Sequence, residues 1–432
     1  MTFPTLYFNF LKLLVISVFL SGIVIYKNIS LFQIIFILLI LISISFFYEG
    51  ITTFLSHKFN LSDKTLVLLF VLALLSFFWL FKDINAWFSS IIKFFVCILI
   101  YFLTQIYIIY LLKRKNNYKI LIYTSRLIFG MGIILSLSIL IDRFNMINFD
   151  LLRSWTWWRE VRFTGLYGEP NFCSVLLNIS LAFLPFLFYF YEKRKIISYF
   201  LYLSFFLFCT AILLTGSRLG LLLLITNLIL FFFYDVKINK KIKIKTIIKT
   251  LAISIILFSL IYICMLNKET IFIYNSLEKT YDFLLGNYIN EKSSIFLRAN
   301  LIIFNIKNIL TNYDLFLIGV GFGNEKYYIY EFFKYAFSDL ASHNIFFSII
   351  NELGIFGLII FISFLIFILK YSRKLIKRAN NKQEKAIFYS LYIVLFIIFI
   401  NYLFLSDLYV NKIIWIIFGL IAGTYKYTYL KK

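Results

Sequence analysis

Cysteine and histidine are nearly missing from this chain, with four of the first and two of the second in 432 residues. The cysteines, Cys97, Cys173, Cys209 and Cys264, stand singly inside apolar runs, which excludes a disulfide framework or a cysteine metal cluster. No HExxH or DxD motif occurs, and His57 and His343 alone make no histidine-rich ligand set, so no metal is expected. A nucleotide phosphate loop is missing too: GVGFGN at 319–324 lacks the Lys-Ser/Thr pair such loops need, and no cofactor is expected. No internal repeat of the kind found in inverted-repeat transporters stands out. No small-residue cleavage site follows the first apolar run, Leu11 to Tyr26, which therefore reads as a first membrane helix and not a removable signal.

What fills the chain is apolar. Hydrophobic residues make up 62% of it and aromatic residues 21%, where a soluble domain is nearer half apolar. Long apolar runs recur from end to end, the signature of membrane-crossing helices. The expected fold class is all-α: a polytopic integral membrane protein, one membrane domain over 1–432, with about 12 transmembrane helices. The spans are expected at 7–26, 29–48, 64–82, 87–112, 119–141, 172–191, 196–215, 218–234, 248–266, 344–369, 386–405 and 411–428.

A net charge of +23 would suggest nucleic acid as partner for a soluble protein, but its distribution argues against that. With the N-terminus in the cytoplasm, the basic clusters fall on one side. They are KRKNNYK at 113–119, EKRK at 192–195, the lysines from Lys237 to Lys249, KYSRKLIKR at 370–378, and the tail with Lys426, Lys431 and Lys432. This is the positive-inside pattern, with attraction to anionic membrane lipid as an accompaniment. Both termini are then cytoplasmic and two long segments external, 142–171 and, before the tenth helix, 267–343. His57, beside Lys58, reads as surface. Lys12, Lys93 and Arg126, near or within spans, have no explanation at this level.

Four residues at the external face ask for a reason: Arg162, Arg218, Arg298 and His343. Arg218 opens an apolar helix after the tight turn TGSR, Thr215 to Arg218. A charge there is costly unless it snorkels, pairs or faces a polar cavity. It is therefore either an interfacial arginine or one that grips an anion, a task its planar fork suits. Thr215, Gly216 and Ser217 are placed to offer backbone N–H groups to an anion; a plain helix cap by Ser217 is the other reading. Arg298 lies in SSIFLRANLIIFNIKNIL, 293–310, an interfacial amphipathic or short re-entrant helix in which it is either surface charge or site.

His343 begins the tenth span, in SHNIFFSIINELGIFG. A cap by Ser342 or Asn344 explains the local pattern, and a side chain that titrates near neutrality also suits a proton acceptor. Glu352, about 13 Å further along the helix, is too distant to orient it. In RFTGLYGEPNF, 162–172, Pro170 fits a first helical turn, the glycines a tight approach, and Glu169 the positive end of the helix. Trp155, Trp157 and Trp158 upstream read as interface anchors, or as surfaces for stacking sugar rings.

In this order, RFTGLYGEPN, TGSRLGLLLL, Arg298 with GVGFGN, SHNIFFSIINELGIFGLIIF and NKIIWIIFGLIAG (411–423) resemble the superfamily of bacterial O-antigen ligases and O-antigen or capsular polysaccharide polymerases. The resemblance covers about the C-terminal two-thirds of the chain. It implies a GT-C-like, metal-independent glycosyltransferase of the inner (cytoplasmic) membrane, with its active site facing the periplasm or exterior. Donor and acceptor would be undecaprenyl-pyrophosphate-linked oligosaccharides, and a chain-length regulator is a further candidate partner. On that resemblance Arg218 and Arg298 grip the leaving pyrophosphate, where charge develops, and His343 contacts or deprotonates the acceptor hydroxyl. Arg162, Glu169, Asn171, Ser217 and Asn344 are then substrate-site residues. The glutamate before Pro-Asn resembles polymerase-like members, so repeat-unit polymerisation for O-antigen, capsule or a related polysaccharide is favoured. Ligation to lipid A core, in lipopolysaccharide biosynthesis, is the alternative. A lipid-linked oligosaccharide flippase or transporter, from another class, would need polar residues through the whole membrane, and these cluster at one face.

Overall fold

The computed structural model describes residues 3–21, 24–26, 29–46, 58–79, 82–115, 118–144, 162–239, 294–333, 342–405 and 411–429, with a few single positions between. The ninth expected span (248–266), most of the lysine run 237–249, His57, Cys264 and Trp155, Trp157 and Trp158 lie outside the described residues. Every other expected span falls on helix. In chain order the helices are α1 (Phe3–Phe19), α2 (Leu31–Phe46), α3 (Leu61–Leu75, continued as a 3₁₀ turn to Trp79), α4 (Ile84–Lys115), α5 (Lys119–Arg143), α6 (Pro170–Leu181), α7 (Leu184–Phe190) and α8 (Lys195–Leu214). They continue as α9 (Arg218–Asn239), α10 (Ser294–Thr311), α11 (Tyr313–Ile318), α12 (Glu325–Phe333), α13 (Ile345–Arg378), α14 (Lys382–Phe404) and α15 (Lys412–Tyr429).

Among the described residues, seven segments are long and apolar enough to cross a membrane, the stretch Pro170–Phe190 counting as one. Shorter apolar stretches lie in α1, α2, α9 and α10. On α8, Ile196, Tyr199 and Leu203 recur at helical spacing and are strongly exposed, a face that suits lipid and not water. The protein is thus an all-α polytopic membrane protein.

Three departures from the expected spans have local causes. Between α1 and α2, the β-favouring Val24–Tyr26 (β1) and Ile29–Ser30 (β2) pair as a small antiparallel hairpin, so both helices stop short of the limits expected. The sixth span breaks between α6 and α7, because Pro185 in the first turn of α7 has no N–H to donate back along the chain. α13 runs on to Arg378, so KYSRKLIKR continues the helix beyond its apolar part.

The core forms around α15, buried along most of its length. Gly419 and Gly423, spaced as in a small-xxx-small interface, let it lie against α4. A Cβ at either glycine would press on Thr104 and the Tyr101 carbonyl, or on the Gln105 backbone. Trp415 packs among Phe94, Phe364 and Phe418, and its Nε1–H donates to the Leu408 carbonyl at 3.0 Å.

Lys426, expected among the free charges of the tail, is instead fully buried, with its Nζ 3.2 Å from Asp63 Oδ2. The Asp63 carboxylate also accepts from the Tyr101 hydroxyl (2.9 Å), Gln105 Nε2 (2.8 Å) and the Asn60 N–H (3.0 Å), which joins α3, α4 and α15. Of the unexplained cations, Lys12 lies 4.1 Å over the Phe8 ring. Arg126 sits among the rings of Phe190, Tyr191 and Tyr123, at 4.6, 5.0 and 5.5 Å. Aromatic faces hold both charges.

Chain reversal gathers one set of helix ends: the ends of α5, α8 and α14 and the starts of α6, α9, α13 and α15. The clusters KRKNNYK, EKRK and KYSRKLIKR occupy the opposite ends.

Candidate functional site

RFTGLYGEPNF lies across the end of α8 and the start of α9. The Phe163 N–H donates to the Leu214 carbonyl (3.0 Å) and Arg162 Nε to the Thr215 carbonyl (2.9 Å), tying the segment to the TGSR turn. The end of α5 holds it from beneath. Buried Asp142 accepts the N–H groups of Thr164 and Gly165 (3.2 and 3.1 Å), and Ser138 Oγ accepts that of Leu166 (3.2 Å). Gly165 has φ +55, and a Cβ there would collide with Ser138, so the turn requires glycine. Asp142 was not expected in the site: beside Arg143 at the end of an apolar run, it resembles an ordinary membrane flank.

Asn171 links the pieces. Its Oδ1 accepts from Arg162 Nη2 (3.2 Å) and Ser217 Oγ (2.9 Å), while its Nδ2 donates to Glu169 Oε1 (3.0 Å). Glu169 Oε2 accepts the Phe172 N–H at 2.6 Å, which caps α6 with Pro170 in its first turn, as the pattern predicts. Burial holds the Glu169 carboxyl above its ordinary pKa, against the opposing pull of the Phe172 and Asn171 N–H groups and the Arg162 charge. Ser217 Oγ also accepts the Gly220 N–H (3.1 Å), capping α9.

Of the two readings of the TGSR turn, the cap by Ser217 is the one observed, and the row of N–H groups offered to an anion needs correcting. Thr215 donates to the Ala211 carbonyl (3.1 Å), Gly216 to that of Leu213 (2.9 Å), and Ser217 to Thr215 Oγ1 (3.3 Å), because the end of α8 closes on itself before α9 begins. Arg218, the first residue of α9, is exposed at the rim of this network.

A second cluster surrounds His343. Asn344 caps α13, accepting the Phe346 and Phe347 N–H groups (2.9 and 3.3 Å), and its Nδ2 donates to the Leu403 carbonyl at the end of α14 (3.1 Å). His343 is partly buried, with φ +51, a left-handed backbone unique among the described non-glycine residues. Such a conformation persists only where its surroundings hold it. α14 packs against α13 on one side and α9 on the other, so His343 and Arg218 share one end of the bundle, a helix apart.

Arg298 falls on α10, its side chain lying outside the described residues. Its position is two turns before Asn305 and shares that face by register. α10 is inside out for water: Ile302, Ile303, Ile306 and Leu310 are exposed while Asn305 and Asn308 are buried. That arrangement suits a helix at a lipid boundary with its amides turned inward.

GVGFGN is a clamp. α13 breaks at Gly354 (φ 67, ψ −170), and next to the break the Asn351 and Glu352 carbonyls accept the Val320 and Gly321 N–H groups at 2.7 and 3.0 Å. The Phe322 N–H reaches Ser76 Oγ (3.0 Å), and Asn324 exchanges bonds with the Asp83 backbone (2.9 and 3.2 Å). The Tyr327 hydroxyl holds the Asp83 carboxyl below its ordinary pKa. The loop thus locks α10 to α12 onto α3, α4 and α13.

Among the described residues, no three His, Cys, Asp or Glu side chains converge as a metal-ligand set. Residues 203–362 match the family model described as O-antigen ligase. The matched stretch contains the TGSR turn, Arg218, Arg298, GVGFGN and His343, and leaves out RFTGLYGEPN. No curated protein matches the chain.

Proposed function

We propose that this chain, of which residues 203–362 match the O-antigen ligase family model, belongs to the superfamily of O-antigen ligases and polymerases and transfers a glycan from undecaprenyl pyrophosphate to an acceptor hydroxyl. The specific reaction proposed is repeat-unit polymerisation. One observation carries the reading. Inside the family-matching stretch, Arg218 stands at the rim of a hydrogen-bonded bracket, at the same end of the bundle as the backbone-constrained His343. The positive-inside distribution argues that this end faces the periplasm or exterior of the inner membrane.

In the proposed step the acceptor oxygen attacks the anomeric carbon of the donor sugar. The bond from that carbon to the pyrophosphate oxygen breaks, and its electron pair leaves with the pyrophosphate. Arg218, with Arg298 from α10, neutralises the charge developing there. His343 receives the hydroxyl proton. Arg162, Glu169, Asn171 and Ser217 are bonded to one another, and Asn344 to two helix ends. Their proposed role is to hold the turn and the histidine in place. Pyrophosphate is already a good leaving group, so two arginines and one base are chemically sufficient without metal or nucleotide.

Ligation is the second reading, favoured by the description of the family itself. It differs only in the acceptor, lipid A core instead of a second carrier-linked repeat unit. Purified protein given a defined undecaprenyl-pyrophosphate-linked repeat unit as sole substrate should make a ladder of longer lipid-linked products. Product only after adding lipid A core would establish ligation, and no product from folded protein with either acceptor would refute both readings. Arg218→Ala should abolish transfer with insertion unchanged, and Arg218→Lys should rescue poorly, since lysine lacks the bidentate fork.

A further inference from the structure

Ser342, Ser348 and Asn351 converge on one buried carboxylate that the reaction scheme does not use. Glu325, the first residue of α12, is 3% exposed. Its Oε1 accepts from Ser342 Oγ and from Asn351 Nδ2 (3.1 Å), and its Oε2 accepts from Ser348 Oγ. Asn351 Nδ2 also donates to Asn305 Oδ1 at 2.7 Å. The donors are placed with purpose. Ser342 directly precedes His343, and Ser348 and Asn351 lie on the first two turns of α13, just after it. Asn305, which accepts from Asn351, lies on α10 and shares a face by register with position 298. A carboxylate only accepts hydrogen bonds, and here hydroxyl and amide donors point at it from both sides of the histidine. Its own position is set by the preceding GVGFGN clamp, through Asn324 and Asp83.

We propose that Glu325 is a positioning residue. It holds the left-handed backbone of His343 through Ser342 and α13, and ties that histidine to α10 through Asn351 and Asn305. The proposal rests on the transfer reaction proposed above. A glutamine at this position would turn an amide donor toward groups that are themselves donors, so the loop before His343 would loosen. Turnover depends steeply on sub-ångström placement of the reacting groups, and a loss of about 10- to 100-fold is expected in Glu325→Gln.

Two readouts test it, both on the full-length protein in detergent. The first is a double-mutant cycle on transfer rate. Glu325→Gln should lower kcat with little change in KM, Glu325→Asp should recover part of the loss, and Glu325→Gln should add almost nothing in a His343→Ala background. Equal losses in both backgrounds would overturn the proposal, because Glu325 would then act independently of the histidine. The second needs no substrate. In a His57→Gln background, His343 is the sole histidine, and its modification by diethylpyrocarbonate can be followed by mass spectrometry. Glu325→Gln should speed modification several-fold, whereas an unchanged rate would overturn the proposal. If Glu325→Gln fails to accumulate in the membrane, Ser342→Ala removes one arm of the network and carries the same two measurements. A wild-type protein with no transferase activity would refute the proposed reaction, while the modification experiment would still decide the role of Glu325.

Discussion

Asn171→Ala is the substitution that most directly separates the hydrogen-bonded bracket from the chemistry assigned beside it. It deletes three bonds at once: the acceptor for Arg162 Nη2, the acceptor for Ser217 Oγ, and the donor to Glu169 Oε1. Arg162 and Glu169 are only partly buried, so water replaces much of what they lose. Ser217 is fully buried and forfeits its acceptor without that relief. With about 0.5–1 kcal/mol for each partly hydrated bond and about 1–2 kcal/mol for the buried one, the total is about 2–4 kcal/mol. Much of this should appear locally, as drift of the TGSR turn that carries Arg218, because α6 and α9 keep their own packing. The transfer assay should then show a fall in kcat of about 100-fold, with a smaller loss in the thermal unfolding midpoint. Asn171→Asp keeps both acceptors but sets a second carboxylate beside Glu169. The two must share a proton, so this variant should perform relatively better at low pH than at high pH. If Asn171→Ala turned over within about twofold of wild type, well under the factor of ten that 1.4 kcal/mol represents, the bracket would not position the turn.

Three further outcomes follow from the same geometry. Asp142→Ala strands the buried N–H groups of Thr164 and Gly165, and should lower unfolding stability by about 2–4 kcal/mol. Asp142→Asn retains an accepting oxygen and should cost less. Lys426→Met leaves Asp63 as an uncompensated buried charge, for a loss of about 3–5 kcal/mol, and the double variant Asp63→Asn/Lys426→Met should recover most of it. Glu169 is raised above 4.5 in the folded protein by burial. Its contribution to stability is therefore present below its unfolded pKa and lost as pH rises through the folded value. Unfolding midpoints measured between about pH 4 and about pH 8 should decline more in wild type than in Glu169→Gln, and parallel curves would disprove the assignment.

The features readable from the chain were those with local causes. An apolar run long enough for the bilayer forms its helix wherever it sits, which is why helices fell where spans were expected outside the undescribed stretch, seven of them long and apolar enough to cross a membrane. Pro170 and Glu169 announced the start of α6, since N-capping involves only neighbours in sequence. Local patterns failed where chain ends or breaks intervened. Pro185 divided a span that hydropathy left whole, and the N–H groups of the TGSR turn were taken up by the preceding helix. Arg218 and His343 stood out because isolated polar residues at the edge of apolar helices are costly, a signal visible without any structure.

What only the tertiary structure decided is the pairing of polar groups across distance. Asp63 and Lys426 are 363 positions apart, and in sequence that lysine is indistinguishable from the tail charges around it. Asp142 and Glu325 likewise look like flanks until the backbone N–H groups of one turn and the hydroxyls beside His343 are brought to them. The sequence by itself determined the membrane class, the places of the helices and the residues too expensive to lack a purpose. Packing determined which carboxylates are buried and what they hold, because a buried polar group is tolerated only by partners that the rest of the chain must deliver.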